Sequence, residues 1–447
     1  MIMGRSTRIH IVHVGSVGNK GTYALLKSEI CEIKKICGDT VEISVSTDDV
    51  ETLKRLEPQF GVHPSLVDIP YVRADIALRR RGQQRSGLSY KLSIVFYTML
   101  MPFQAFLAMT SAVLIRRGVE IPYRAETIQQ IRRADAVIST ADENFKEGSL
   151  YIPINVYWML TWWTVLFSRM TETFCAKILE KPVVVFPNSI GPFRTPVGRL
   201  FAKVILQNVD LVMLRELYSY RLFKQLSIQT PHVLTTDVVL LLEYPERRRD
   251  LTAPGCVVGV CPALYTSSFS KEERRRYVLA HSMTLDWLVR EQSYQVVFLP
   301  HEISSVKLDD DLGLSRAIMD KMKHHDRAEI VEIQSIEEFN RCISQLDFLI
   351  TSRMHPAVLA CANRVPAVMV VYDHKQAGFF DQLDLSDYAV NIKQITKAQL
   401  MNKVSLLLCQ KDKVRKQLDQ RVPILQEDLR RKLRAAITHF VHGSARQ

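Results

Sequence analysis

Arg353 and His355 close the segment Asp347-Phe-Leu-Ile-Thr-Ser-Arg-Met-His355-Pro356. Its apolar run reads as a buried strand, and Pro356 suits the first turn of a following helix. Period-two alternation along the chain puts the two side chains on one side. A fixed cation next to a group that titrates near neutrality suits holding an anion and moving a proton, the more so at a helix N-terminus. Ser352 stands at the same strand end.

Four further places carry residues of the same kind. Val14-Gly-Ser-Val-Gly-Asn-Lys-Gly-Thr-Tyr23 follows a strand and opens a helix, where free amides favour an anion. Asn19, Lys20 and Gly21 are its candidate binding residues. The spacing G-x-x-G-x-x-G is neither the dinucleotide fingerprint nor a P-loop, so neither dinucleotide nor ATP binding is indicated. Ser189 and Gly191 lie in Phe186-Pro-Asn-Ser-Ile-Gly-Pro-Phe193, again strand, turn and helix, either as a ligand loop or as a structural turn. Arg215 ends an apolar strand, as an anion clamp or as the partner of a nearby acid. His301 ends Leu299-Pro-His-Glu302, and Asp309-Asp-Asp311 after it reads as a helix cap, since no metal-ligand spacing accompanies it.

These residues must be positioned by a chain of 447 residues with formal net charge +12, 47% hydrophobic and 24% charged. The composition is that of a globular protein of two or three domains and excludes disorder. The positive excess points to an anionic partner, whether a phosphorylated substrate, nucleic acid or an acidic membrane surface. No recognisable nucleic-acid-binding module is present, so nucleic acid is not expected. None of the eight cysteines forms a C-x-x-C pair. Buried, reduced thiols and a cytoplasmic location are expected, and the N-terminal residues show no apolar signal core.

Short apolar runs alternate with helix-compatible stretches, the pattern of parallel α/β units. Strands are expected at 9–14, 41–46, 136–139, 183–186 and 211–214, then at 257–260, 296–299, 330–333, 348–351, 367–371 and 388–392. Helices are expected between them, including 22–36 and 196–207. The fold class is therefore α/β, with two doubly wound, Rossmann-like parallel sheets. The domain expectation is residues 1–248, then 249–395, then a helical tail at 396–447.

Two uncharged runs, 92–115 and 148–168, interrupt the soluble pattern as an insertion in the first domain, the first of them within residues 79–117. The first matches the roughly 20 residues of a membrane span. A single span would, however, place strands of one sheet on opposite sides of a membrane. Arg79, Arg80, Arg81, Arg85 and Lys91 precede the run and Arg116 and Arg117 follow it, so charge gives no orientation. A helix lying at an anionic membrane surface, with Phe103 and the tryptophans 158, 162 and 163 in its contact layer, is the expectation; a buried helix is the alternative.

Taken in order, the Gly-Asn-Lys-Gly turn, Ser189-Ile-Gly-Pro-Phe193, Arg215-Glu216 with Ser219, Asp237, Leu299-Pro-His301, Ser352-Arg-Met-His355 and Tyr372-Asp-His-Lys375 resemble the polysaccharide pyruvyltransferase family. The resemblance implies a GT-B-like fold with two domains facing a cleft. It also implies transfer of the pyruvyl group of phosphoenolpyruvate to a sugar of a polysaccharide or lipid-linked glycan, as in exopolysaccharide and cell-envelope synthesis, with no cofactor and no metal. It makes His355 and Arg353 the catalytic pair, and Arg215, His301, Ser352, Lys375 and the two glycine turns substrate-binding. Two other readings fit the same sequence: a GT-B glycosyltransferase using a nucleotide sugar, and a non-catalytic protein of the membrane surface. Peripheral attachment at the inner face of the cytoplasmic membrane goes with the basic, uncharged-run pattern.

Overall fold

The structure is a computed structural model and describes residues 6–74, 88–119, 122–147, 161–243, 256–264, 269–302 and 311–442. The chain divides into two compact units, one of residues 1–18, 25–238 and 428–447, the other of 19–24 and 239–427. The expected boundary at 248 lies outside the described residues. The tail does not form a body of its own, because its residues up to 427 group with the second unit and those from 428 with the first.

In chain order the first unit contains β1 (Arg8–Val14), α1 (Lys20–Cys37, its first turn excepted), β2 (Glu42–Thr47), α2 (Val50–Leu56), β3 (Gly61–Pro64), α3 (Leu88–Arg116), α4 (Ala125–Arg133), β4 (Ala136–Ser139), α5 (Thr164–Ile178), β5 (Val183–Asn188), α6 (Pro196–Gln207), β6 (Leu211–Leu214), α7 (Leu217–Gln225) and β7 (His232–Leu234). The sheet order is β3-β2-β1-β4-β5-β6-β7, and every pairing is parallel. Such strands are covered on both faces, which is why β4 and β5 are buried along their whole length and read as unbroken apolar runs.

The second unit contains β8 (Cys256–Cys261), α8 (Lys271–Gln292), β9 (Tyr294–Phe298), α9 (Asp311–Met319), β10 (Ala328–Ile330), α10 (Ile336–Ser344), β11 (Phe348–Thr351), α11 (Met354–Ala362), β12 (Ala367–Val371), α12 (His374–Gln382), β13 (Ala389–Asn391), α13 (Lys397–Cys409) and the first part of α14 (Lys411–Ile437). Its order is β10-β9-β8-β11-β12-β13, again all parallel. In both sheets the strand order reverses beside the first strand, between β1 and β4 and between β8 and β11. Crevices for ligands open at the carboxyl ends of strands at such points. Along α14 the buried positions Val414, Leu418, Val422, Leu429 and Leu433 recur at helical spacing and anchor an otherwise charged helix.

The uncharged run at 92–115 forms most of α3. Ile94, Met101, Ala105, Ala108, Ala112 and Ile115 bury one face in the first unit, and the opposite face is exposed. The helix is long and apolar enough to cross a membrane by length and composition. Strands before and after it belong to one sheet, which opposes a single crossing. The run at 148–160, with Trp158, and the arginines at 79–85 lie outside the described residues. Among the described residues the cysteines are free thiols. Cys175, Cys261 and Cys361 are buried, while the others are partly or fully exposed, so burial is not the general rule expected for them.

Glu29 on α1 shows how the first unit holds an acid in its interior. Its carboxyl group is fully buried and accepts hydrogen bonds from Thr140 Oγ1 at 2.8 Å and from the Ala141 amide. Burial pushes its pKa up from 4.5 to about 8. The folded chain therefore holds a proton there that the unfolded chain has lost. That contribution to stability is complete below pH 4.5 and disappears as pH rises through about 8. In urea titrations from pH 5 to 8.5, Glu29→Gln should gain on the wild type by up to about 1.4 kcal/mol per pH unit. Parallel pH curves for the two proteins would refute it.

Candidate active site

At the reversal point of the second sheet three adjacent strands, β9, β8 and β11, end together. The backbone beyond β11 is pinned first. The Ser352 amide donates to Cys261 O at 3.0 Å, and Thr351 Oγ1 accepts from the Arg353 amide at 2.9 Å. Ser352 Oγ meets Tyr277 Oη at 2.6 Å, and its carbonyl accepts from Gln376 Nε2 at 2.6 Å. Gln376 in turn accepts from the Tyr372 and Asp373 amides at the start of α12. Ser352 is thus a buried strut, and Lys375 is a half-buried residue of that same helix start.

Arg353 is the N-cap residue of α11, with extended backbone and no side-chain cap of its own. Its guanidinium is turned onto two carboxylates. Nε and Nη2 contact Asp311 at 3.0 and 2.7 Å, and Nη1 meets Glu302 at 2.9 Å. Asp311 also accepts from the His301 and Glu302 amides at 3.2 and 2.9 Å. The sequence reading of this acid as a helix cap is corrected here: it opens α9, but its carboxylate ties down the loop after β9. Burial pushes its pKa up, and Arg353 opposes that shift.

Around this ion pair stand Lys20, His301 and His355. Lys20 is 7% exposed and donates from Nζ to His301 O at 3.0 Å. Burial lowers its pKa, against the pull of Asp311, Cys261 and Glu302. His301 is 2% exposed, packs edge-on against Phe339 and lies parallel to His355 with ring centroids 6.3 Å apart. Among the described residues neither of its ring nitrogens has a hydrogen-bond partner. Burial, then Arg353, His355 and Lys20, push its pKa well below the usual histidine value, so the ring is neutral and offers one donor and one acceptor.

His355, in the first turn of α11, is the partly exposed member of the set. Both it and Arg353 lie beside His301, through the helix turn rather than through the strand alternation expected. Asn19 Oδ1 accepts from the Gly21 amide at 2.8 Å and shapes the start of α1. Gly21 then lets His355 in. A Cβ on Gly21 would stand 2.2 Å from His355 Nδ1.

The remaining predicted residues, Ser189, Gly191 and Arg215, belong to the first unit. Arg215 pairs with Asp237 at 2.9 Å and donates to Ser189 Oγ at 2.8 Å, with the paired side chains 1% exposed. Gly191 has φ +67°, and a Cβ there would strike Leu222 at 2.5 Å. This corrects the expectation of an open anion clamp at Arg215. Its guanidinium is committed to locking the β5 and β6 ends, the ion-pair alternative stated for it above.

Sequence reasoning missed Asp311 and Glu302 as site residues. It also missed a buried cluster at the first unit's reversal point. There His13, at φ +69°, contacts Ser139 at 2.8 Å and Glu172 at 3.4 Å. Burial raises Glu172 to about 7, against Arg169. The strand-end position of His13 was the one available signal. Among the described residues no three His, Cys, Asp or Glu side chains form a group able to hold a metal ion.

Two all-parallel Rossmann-like units, each with polar side chains gathered at its reversal point, define an α/β enzyme fold of the GT-B-like class. Within it the chain belongs to the polysaccharide pyruvyl transferase family, which matches residues 19–374. These bounds run from the Asn19 turn to the first residue of α12. The amylovoran biosynthesis protein AmsJ of Erwinia amylovora is 23% identical over 330 residues, covering 68% of this chain and 73% of that protein. In fold the chain is similar to Anabaena Alr3699/HepE in complex with UDP, with TM-score 0.58, 11% identity and coverage of 98% and 100%. It is similar also to the UDP-GlcNAc 2-epimerase of Neisseria meningitidis bound to UDP-GlcNAc, with TM-score 0.53, 9% identity and coverage of 95% and 99%. The family makes the chain a transferase of polysaccharide modification.

Proposed function

We propose that the chain transfers the pyruvyl group of phosphoenolpyruvate to two hydroxyls of a sugar in a polysaccharide or lipid-linked glycan. The product is a cyclic ketal, and inorganic phosphate is released. The observation that carries this reading is His301, buried beside Lys20 and His355 with neither ring nitrogen partnered among the described residues. A polar ligand is what such a side chain lacks. The donor carries a phosphate and a carboxylate. The spare N–H groups of Lys20, the neutral His301 ring and the uncapped first turn of α11 are suited to anionic oxygens.

His355 in its imidazolium form gives a proton to the methylene carbon of the donor. The adjacent carbon becomes cationic, and a sugar hydroxyl adds to it and loses its proton. Phosphate departs with the electron pair of its C–O bond, and the second hydroxyl closes the ring as its own proton leaves. Arg353 is held by Asp311 and Glu302, so its guanidinium is oriented before the donor arrives and needs no reorganisation. This chemistry uses neither a metal nor a cofactor.

Thermal denaturation with candidate donors tests the reading. Phosphoenolpyruvate at about 100 times its Kd should stabilise the protein by about 2.7 kcal/mol, and UDP should not. Stabilisation by UDP with none by phosphoenolpyruvate would move the chain to nucleotide-sugar chemistry.

A further inference from the structure

The outward face of α3 is apolar from Leu92 to Phe106. Leu92, Phe96, Met99, Phe103 and Phe106 are 59, 58, 70, 59 and 65% exposed, and Val113 extends the line at 37%. Spacings of three and four residues put them on one stripe of the helix. A soluble surface seldom leaves so long an apolar stripe uncovered.

A neighbouring part of the first unit carries the same pairing of apolar and cationic groups. On α6, Val197 and Leu200 are 47 and 56% exposed, with Arg194 and Arg199 exposed next to them in sequence. Phe201 stacks on Trp162 at 6.5 Å. The adjacent Trp163 packs on the Met101 and Ala105 cluster beneath α3.

We propose that this surface of the first unit docks on an anionic phospholipid bilayer, with α3 lying in the interface. Charge decides between a bilayer and a second copy of the chain. A helix seam between two soluble copies carries charged residues along its flanks. Here residues 92–115 hold no charge, and the flanking positions Leu100, Pro102, Leu107 and Leu114 are apolar as well. The cations stand outside the stripe, at Lys91 and Arg117 and at Arg116, which also pairs with Glu180, and no acid occurs between residues 88 and 117 in the sequence. Apolar side chains in the acyl boundary with lysine and arginine at the headgroups is the arrangement of an interfacial helix.

At 1.5 Å per residue the stripe from Leu92 to Val113 offers a contact line about 32 Å long. Because α6 starts beyond the carboxyl end of β5, docking also brings the bilayer to the sheet edge where such folds take ligands. A glycan on a lipid carrier would then reach the protein without leaving the membrane. The docking itself does not depend on the pyruvyl-transfer reading.

Flotation of the full chain with vesicles tests the proposal. The protein should float with vesicles of phosphatidylglycerol and phosphatidylcholine, and much less with phosphatidylcholine alone. Phe103→Glu/Phe106→Glu, at exposed positions where circular dichroism and melting should not change, should lower the bound fraction about tenfold or more. Lys91→Glu/Arg117→Glu should weaken binding and reduce its sensitivity to salt. Wild type left at the bottom of the gradient at low salt overturns the proposal, as does equal flotation of the double phenylalanine variant. A wild-type dimer that becomes monomeric in that variant, without lipid binding, would assign the face to a second copy. Each readout is binding or mass, so it can fail while pyruvyl transfer stands.

Discussion

His355→Asn is expected to fold, to bind phosphoenolpyruvate with little loss, and to release phosphate from donor plus acceptor about 100 to 10,000 times more slowly. The ring is partly exposed and stands in the first turn of α11, so its removal leaves no large cavity. His301, parallel to it at 6.3 Å, cannot substitute as the acid, because burial and three neighbouring positive or titratable groups keep it neutral. Gly21→Ala tests the same assignment without touching the histidine. The added methyl would lie 2.2 Å from Nδ1, within the hard core of the ring, so either the ring turns or the start of α1 moves. Phosphate release should fall on the same scale, with the melting temperature nearly kept. Wild-type turnover in both variants would remove His355 from the reaction.

How far the sequence discloses this site depends on how local each signal is. β4, β6, β11 and β12 coincide with the runs expected, because a strand covered on both faces must be apolar throughout. β3 and β7 were not expected. They are edge strands of four and three residues, Gly61–Pro64 and His232–Leu234, and carry no periodic pattern. Ile330-Val-Glu-Ile333 reads as a strand, but its pairing with β9 stops at Ile330, and the observed strand starts earlier, at Ala328. The pairing of His355 with Arg353 is legible because both residues sit at one strand end. What Arg353 and Arg215 do is not legible, since an arginine at a strand end looks alike with or without a carboxylate waiting for it. Asp237 and Asp311 are 22 and 42 residues away from their arginines, and only the folded units bring them there. The same holds for His301. Its proline-flanked strand end was visible, while its burial beside Lys20, across 281 residues, was not.

Asp311→Leu should be the most destabilising single change in the site. Removing one partner of a buried pair leaves the other charge uncompensated, at a cost of about 3 to 5 kcal/mol. Arg353 would keep Glu302, but that carboxylate is 36% exposed and so gives weaker compensation than Asp311 at 1%. The His301 and Glu302 amides would lose their acceptor at the same time. A lower urea midpoint for the second unit, with loss of phosphate release, is the expected result. The double variant Asp311→Leu/Arg353→Met separates structure from chemistry. Replacing both ions with apolar groups of similar volume is often neutral, so most of the lost stability should return. Activity should not return, because the fixed potential beside Lys20, His301 and His355 would be gone. Stability and turnover recovering together would mean that the ion pair only braces the loop after β9. Stability recovering alone makes Arg353 part of the electrostatics on which the reaction depends.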